Sequence, residues 1–394
     1  MMTNKSDNLK KTAHDSIAAI TDNLIALSHK IHANPELAFQ EEKASKWLED
    51  FLEEQGFTVE RQACDLPTAF IAKIGTGSLH IAICAEYDAL PEIGHACGHN
   101  IIGTAAVGAA ISLAKIVNEI DLTISVIGTP AEESGGGKIL LLERGAFDDI
   151  HAAMMIHPSP VDVIEGNLIA CSDFEVRYSG KEAHAAAAPQ EGINAADALT
   201  IAQVAIGLLR QHIFPADRIH GIIIKGGDAP NVIPAHTAAR YIIRSKTSEG
   251  LEKLRKKIMA CFEAGAIATG STLEFVEKEK TYENVVQDPD ILALYKENAE
   301  SLGRVFFDIG DMKDALVGST DMGNISHVVP SIHPIIGIDS FPAVNHQPEF
   351  AAHCITKSAD KAIIDGGLAM AWTIIDIACN DKLMKRLKEK DSRV

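Results

Sequence analysis

Long apolar runs are missing from this 394-residue chain. Nothing approaches the roughly 18–20 consecutive apolar residues that a membrane span needs. The most apolar stretch, Ile101 to Val117, carries small residues at Gly103, Ala105, Ala106, Gly108, Ala109 and Ala110, and reads as a buried helix. The opening segment, Met1 to Lys11, is polar and argues against a signal peptide. Positive charge is scarce too: 36 Lys and Arg stand against 54 Asp and Glu, a formal net charge of −18. Phosphate binding needs a basic face, so nucleic acid is not an expected partner, and neither is a membrane. Local charge can differ from the total, so an anionic substrate stays open. Low-complexity tracts and fixed-period repeats are lacking, which excludes solenoid architectures. The seven cysteines are scattered and odd in number. That pattern fits free thiols in a reducing compartment, and a cytoplasmic location is the expectation.

What is present is an ordinary globular balance, 46% hydrophobic and 23% charged residues, in a chain long enough for two domains. Ala44, Trp47, Leu48, Phe51 and Leu52 recur at helical spacing between Glu41 and Gln55, and Gly56 ends the helix. Leu79 to Ala85, Leu122 to Gly128 and Ala152 to Ile156 are apolar runs of strand length, alternating with helical segments. This predicts an α/β domain with a mostly parallel sheet. Sites in such sheets form beyond the carboxyl ends of strands, and polar motifs follow all three runs. The pattern changes near Ser172. Strand, helix, two strands, helix and strand then follow, which is the β-α-β-β-α-β order of a ferredoxin-like unit. The expected organisation is a larger domain over 1–172 and 285–394, with a smaller domain inserted over 173–284.

Five elements carry candidate chemistry: Ala85-Glu86-Tyr87-Asp88-Ala89-Leu90-Pro91, His95-Ala96-Cys97-Gly98-His99, Glu132-Glu133, His157-Pro158 and His346-Gln347-Pro348-Glu349-Phe350. Zinc-type ions take imidazole, thiolate and carboxylate ligands. Cys97 and His99 sit two apart across Gly98, which allows a sharp turn, so both can aim at one ion. A thiol beside a cation is stabilised as thiolate. On an extended backbone Glu132 and Glu133 would point apart, one free to bind metal and the other to act as base. Singly, each element has an ordinary reading. Cys97 and His99 could be a buried thiol near a solvated imidazole, Glu132-Glu133 a charged first turn of a helix, and His157 or His346 structural histidines.

Taken together and in order, from His32-Ala33-Asn34-Pro35-Glu36-Leu37 to His346-Gln347-Pro348-Glu349-Phe350, the motifs resemble the dinuclear zinc amidohydrolases of metallopeptidase family twenty. That family includes aminoacylases, aminobenzoyl-glutamate hydrolases, auxin-conjugate hydrolases and glutamate carboxypeptidases. The segments Glu86 to Pro91 and His95 to Asn100 look closest to the branch with β-alanyl-lysine-type dipeptidases. The resemblance implies Cys97, His99, Glu133, His157 and His346 as metal ligands, Glu132 as general base and acid, and Asp88 as the residue that orients a ligand. It implies that the inserted domain is a lid that also forms a homodimer. Gly180-Lys181-Glu182-Ala183-His184 matches the motif whose histidine reaches a neighbouring subunit's site and stabilises the oxyanion. Asn231 falls in a lid motif that contacts substrate, and Arg244 falls where an arginine grips the substrate carboxylate.

Two divalent ions are implied, zinc by ligand type, with manganese or cobalt as substitutes. The implied substrate is a dipeptide or N-acyl amino acid with a free carboxylate, with aminobenzoyl-glutamate conjugates as the alternative. The acidic balance would suit a basic leaving amino acid such as Lys or Arg, although surface charge usually serves solubility instead. Two departures stand out: many relatives have a histidine ligand at the position of Glu86 and a bridging aspartate at that of Cys97. Glu86 therefore either binds metal or lines the pocket. Ser319 to Asn324 and His333 either line the substrate pocket or belong to a loop that only packs under the lid. The competing readings are a cysteine hydrolase with Cys97 as nucleophile, and a catalytically silent binding protein of the same fold.

Overall fold

The structure, a computed structural model, describes residues 2–308, 310 and 317–389. The chain divides into two compact units, Met1–Asn167 with Val285–Val394, and Leu168–Asn284. In chain order the strands are β1 (Thr58–Arg61), β2 (Phe70–Ile74), β3 (Leu79–Ala85), β4 (Leu122–Gly128), β5 (Ala152–Met154), β6 (His157–Ser159) and β7 (Asn167–Leu168). They continue as β8 (Ala170–Ser179), β9 (Arg218–Lys225), β10 (His236–Ser245), β11 (Thr272–Glu277), β12 (Val317–Gly318), β13 (Ser331–Ile332) and β14 (Ile335–Gly337).

The larger unit is built on a six-stranded sheet in the order β1-β2-β4-β3-β5-β13. Strands β4, β3, β5 and β13 run parallel, while β2 and β1 add an antiparallel edge. Every residue of β3 and β4 is buried, which is why both read as unbroken apolar runs rather than alternating ones. The outermost strand, Thr58–Arg61, is polar and mostly exposed, as suits an edge. The apolar run near 156 does not end at His157 as expected. It breaks after Met154, and His157 opens β6, which pairs in parallel with β14.

The small-residue segment forms the helix His99–Leu113, buried along its whole length. It packs against Lys357–Ala378 and Met2–Ala18. A Cβ on Gly367 would come within 3.0 Å of the Ala105 carbonyl oxygen. Small residues are needed here because the helix backbones nearly touch. No single helix among the described residues is long and apolar enough to cross a membrane.

The smaller unit runs β8, helix Ala195–Leu209, β9, β10, helix Ser248–Thr269, β11. Its antiparallel sheet has the order β11-β8-β10-β9, the ferredoxin-like arrangement. Asn194 caps the first helix through the amides of Ala196 and Asp197, and Thr247 caps the second through Gly250. Phe174, Tyr178, Tyr241 and Phe262 fill its core. The unit opens at Leu168 rather than at 173, because β8 already begins at Ala170.

Candidate metal centre

The site lies where the parallel strands of the larger unit end. Glu86 and Asp88 follow β3, the Glu132-Glu133 turn follows β4, and His157 lies just beyond β5. Glu41 ties the Glu132-Glu133 turn to the segment before β2. Its carboxylate accepts from the Ala131 amide at 2.8 Å and from the Thr68 hydroxyl at 2.8 Å. Burial, then the charge of Asp88, pushes the Glu41 carboxyl up to about 7.

Gly98 is the hinge between the two nearest motif residues. It has φ +80°, and a Cβ there would meet Pro158 Cγ at 2.5 Å. Only glycine permits both the left-handed backbone and the close approach. The turn starts the helix at His99, with Cys97 just outside it.

The five expected ligands converge. Cys97 Sγ lies 3.4 Å from His157 Nε2. His99 Nε2 is 3.8 Å from Glu133 Oε1, and His346 Nε2 is 3.5 Å from the same oxygen. Ligand atoms about 2.0–2.3 Å from a tetrahedral ion should be roughly 3.3–3.8 Å apart, and the Cys97–His157 and Glu133–His346 distances fall there. Cys97, His99 and His157 form one mutually close donor set, and Cys97, Glu133 and His346 form another. Cys97 is common to both, as a pair of neighbouring ions would require.

The residues fit cations on two further grounds. His99 Nε2 and Glu133 Oε1 are buried and have no hydrogen-bond partner among the described residues. Negative charge is also in excess. Burial, then the charge of Glu133, drives the Cys97 thiol well above its usual range. Burial, then Glu86 and Glu133, does the same to the Glu132 carboxyl. Burial would lower the pKa of His99, but Asp88, Cys97 and Glu86 outweigh it and hold it well above the ordinary value. A divalent cation would relieve all three.

Asp88 is placed to orient two ligands. Its Oδ1 lies 2.9 Å from His99 Nδ1, and its Oδ2 accepts from the Glu133 amide at 2.9 Å. The His157 ring sits with Nδ1 2.9 Å from the Pro158 carbonyl, so Nδ1 donates and Nε2 faces the site. Both fix a ring by the nitrogen that does not face the site.

The expectation that Glu132 and Glu133 diverge is not met. The backbone is a turn rather than extended, with Ala131 at φ +61°. Both carboxylates consequently approach His99 Nε2, at 3.9 Å and 3.8 Å. Sequence reasoning also missed Lys138. It is fully buried, with Nζ 2.5 Å from Glu86 Oε1 and 2.7 Å from Asp321 Oδ1. The only available signal was a lysine directly after three glycines, in a helix otherwise apolar at its start. His333 stacks on His157, with ring centroids 5.6 Å apart and both nitrogens unpartnered among the described residues.

The remaining candidates lie in the smaller unit. His184 is exposed, and its Nδ1 accepts from the Ala186 and Ala187 amides at 3.2 Å and 3.1 Å. With Nδ1 engaged as acceptor, Nε2 is the nitrogen left to donate. Asn231 is exposed, and its carbonyl accepts from the Ala185 amide at 2.9 Å, which links the two motifs. Arg244 lies on β10, on the face opposite the buried Tyr241 and Ile243.

Residues 172–269 match a family described as a peptidase dimerisation domain. Over 97% of this chain and 92% of its own length, the Xaa-Arg dipeptidase of Mus musculus is 37% identical. One subunit of the p-aminobenzoyl-glutamate hydrolase of Escherichia coli (strain K12) is 34% identical over 66% of this chain and 58% of its own length. A dinuclear metal-binding peptidase from Bacillus subtilis superposes with a TM-score of 0.69 at 23% identity, covering 91% of this chain and 99% of that one. The chain therefore belongs to metallopeptidase family twenty, and it is a metal-dependent hydrolase of amide bonds.

Proposed function

We propose that this protein is a dipeptidase that releases a basic C-terminal amino acid, arginine or lysine, and that it works as a homodimer with two divalent ions, preferentially zinc. The observation that carries the hydrolytic reading is the convergence of Cys97, His99, Glu133, His157 and His346 around buried, unpartnered donor atoms. The substrate reading is supported by the 37% identity to an Xaa-Arg dipeptidase across nearly the whole chain. The net charge of −18 fits a cationic leaving residue. Thiolate and imidazole donors favour zinc over harder ions. The exposed Ile222, Ile223 and Ile224 on the edge strand β9 suit a second copy as partner. The scattered, odd-numbered cysteines of the sequence fit a reducing, cytoplasmic location.

Divalent ions held by these ligands supply Lewis acidity, which makes water easier to deprotonate and a carbonyl easier to attack. The chain's own residues do the rest. Glu132, buried beside His99, takes the proton of the attacking water and passes it to the leaving nitrogen. Asp88 keeps His99 and Glu133 in register. In the proposed dimer, His184 of one copy donates from Nε2 to the oxyanion developing in the other copy's site, and, as the family resemblance implies, Arg244 grips the substrate carboxylate and Asn231 contacts the substrate.

A cysteine hydrolase fits less well. It would leave Glu133 and His346, grouped with Cys97, and Glu132, grouped with His99, without a role. The deciding experiment is a hydrolysis screen of the zinc-, manganese- or cobalt-loaded protein. It compares Xaa-Arg and Xaa-Lys dipeptides with Xaa-Glu, N-acetyl amino acids and aminobenzoyl-glutamate. A kcat/KM at least tenfold higher for the basic dipeptides is expected. Preference for aminobenzoyl-glutamate, or activity that survives chelation and is abolished by thiol alkylation, would refute the proposal.

A further inference from the structure

Beside the thiol and imidazole donors lies a second pocket, built only of carboxylates. Glu86, Glu132 and Asp321 are all buried, and each offers an oxygen close to those of the other two. Glu86 Oε2 points toward His99 Nε2 at 3.4 Å and has no hydrogen-bond partner among the described residues. Such a pocket suits a hard divalent cation. The Lys138 ammonium already stands at it, 2.5 Å from Glu86 Oε1 and 2.7 Å from Asp321 Oδ1.

The placement is enforced. Asp321 holds Lys138 twice, since its Oδ2 also accepts from the Lys138 amide at 2.9 Å. The glycines before Lys138 bring the chain in: Gly136 has φ +67°, and a Cβ on Gly137 would overlap the Pro130 carbonyl oxygen at 1.8 Å. Helix stability does not account for this lysine. It sits in the first turn of Gly137–Glu143, where the helix dipole disfavours a cation. A fully buried ammonium is also costly unless paired, and packing alone would be served by an apolar side chain.

We infer that Lys138 is a tethered cation that fills the carboxylate pocket next to the metal centre, takes Glu86 out of the set of metal ligands, and so limits this region to the ions held by Cys97, His99, Glu133, His157 and His346. Lys138 is a positioning residue: it acts through Glu86 and Asp321. The inference rests on the metal-centre reading. It does not depend on which dipeptide is cleaved.

The test counts metal ions and needs no substrate. Wild type, Lys138→Ala and the triple variant Lys138→Ala/Glu86→Gln/Asp321→Asn are stripped of metal, equilibrated at equal free Mn2+, and desalted for metal analysis. Lys138→Ala should hold one more Mn2+ per chain than wild type, and the triple variant should return to the wild-type number. An unchanged count in Lys138→Ala, or an extra ion that persists in the triple variant, overturns the inference. Glu86→Gln with Lys138 intact gives a second readout that does not require the lysine variant to fold. Its Zn2+ affinity should stay within about threefold of wild type, whereas a loss of tenfold or more would make Glu86 a ligand. A protein that passes these tests yet cleaves no basic dipeptide sinks the substrate reading and leaves this one standing.

Discussion

Replacing Asp88 by asparagine tests how the centre is held together. Both partners of this carboxylate are donors: His99 through Nδ1 at 2.9 Å and Glu133 through its amide at 2.9 Å. Burial would raise the Asp88 pKa, but the charge and hydrogen bond of His99 and the Glu133 amide hold it below the ordinary value, so two acceptor oxygens are available. Asparagine is nearly the same size but has one acceptor and one donor. One of the two buried N–H groups must then face an NH2, at a cost of about 1–3 kcal/mol for the unsatisfied group. If His99 loses its anchor, the ring can turn and Nε2 leaves the site. If Glu133 loses it, the turn carrying both carboxylates shifts. Loss of such a ligand-orienting partner typically weakens metal binding by about 10–100-fold, or roughly 1.4–2.7 kcal/mol. Competition with a chromophoric chelator measures that affinity in Asp88→Asn and wild type, and denaturant unfolding of both metal-free proteins measures the hydrogen-bond term. Zinc affinity within threefold of wild type, together with an unchanged unfolding midpoint, would refute the reasoning.

Glu132→Gln should lower kcat by about 10²–10⁴-fold while leaving metal content intact; near-full turnover would remove Glu132 as the base. Gly98→Ala should destabilise by about 2 kcal/mol or more and loosen metal binding, because φ +80° and the 2.5 Å approach to Pro158 cannot both persist; equal thermal stability and metal affinity would show that the turn is tolerant. His80, buried and 2.7 Å from the Ser125 hydroxyl, is pushed down to about 4, chiefly by burial. Its unfolded value near 6.5 lies above the folded one, so this contribution is complete above about pH 6.5 and is lost as pH falls toward 4, by up to about 3 kcal/mol. Denaturant unfolding from pH 7.5 to 4.5 should show that loss in wild type and a shallower slope in His80→Phe; identical slopes would count against it.

The sequence alone determined the elements and the cast of reacting groups. Strands β3 and β4 were legible to the residue as apolar runs between turn signals. The ferredoxin-like order followed from the same periodicity, since burial on one face leaves its mark on local sequence. Residue type and position after strands marked the motifs holding Cys97, His99, Glu133, His157 and His346 as candidates, and the ordered resemblance to a known family singled these five out as ligands. Only the tertiary structure decided how these groups meet. The direction of Glu132 depends on the φ of Ala131, and periodicity carries no record of a single positive φ. The break between β5 and β6 depends on β14, which lies far along the chain. Lys138 reads locally as an ordinary surface cation at a helix start. Its burial arises only when Glu86, from the end of β3, and Asp321, nearly two hundred residues beyond Lys138, close around it. Charge compensation in a buried site is a property of three-dimensional neighbours, and sequence separation hides it.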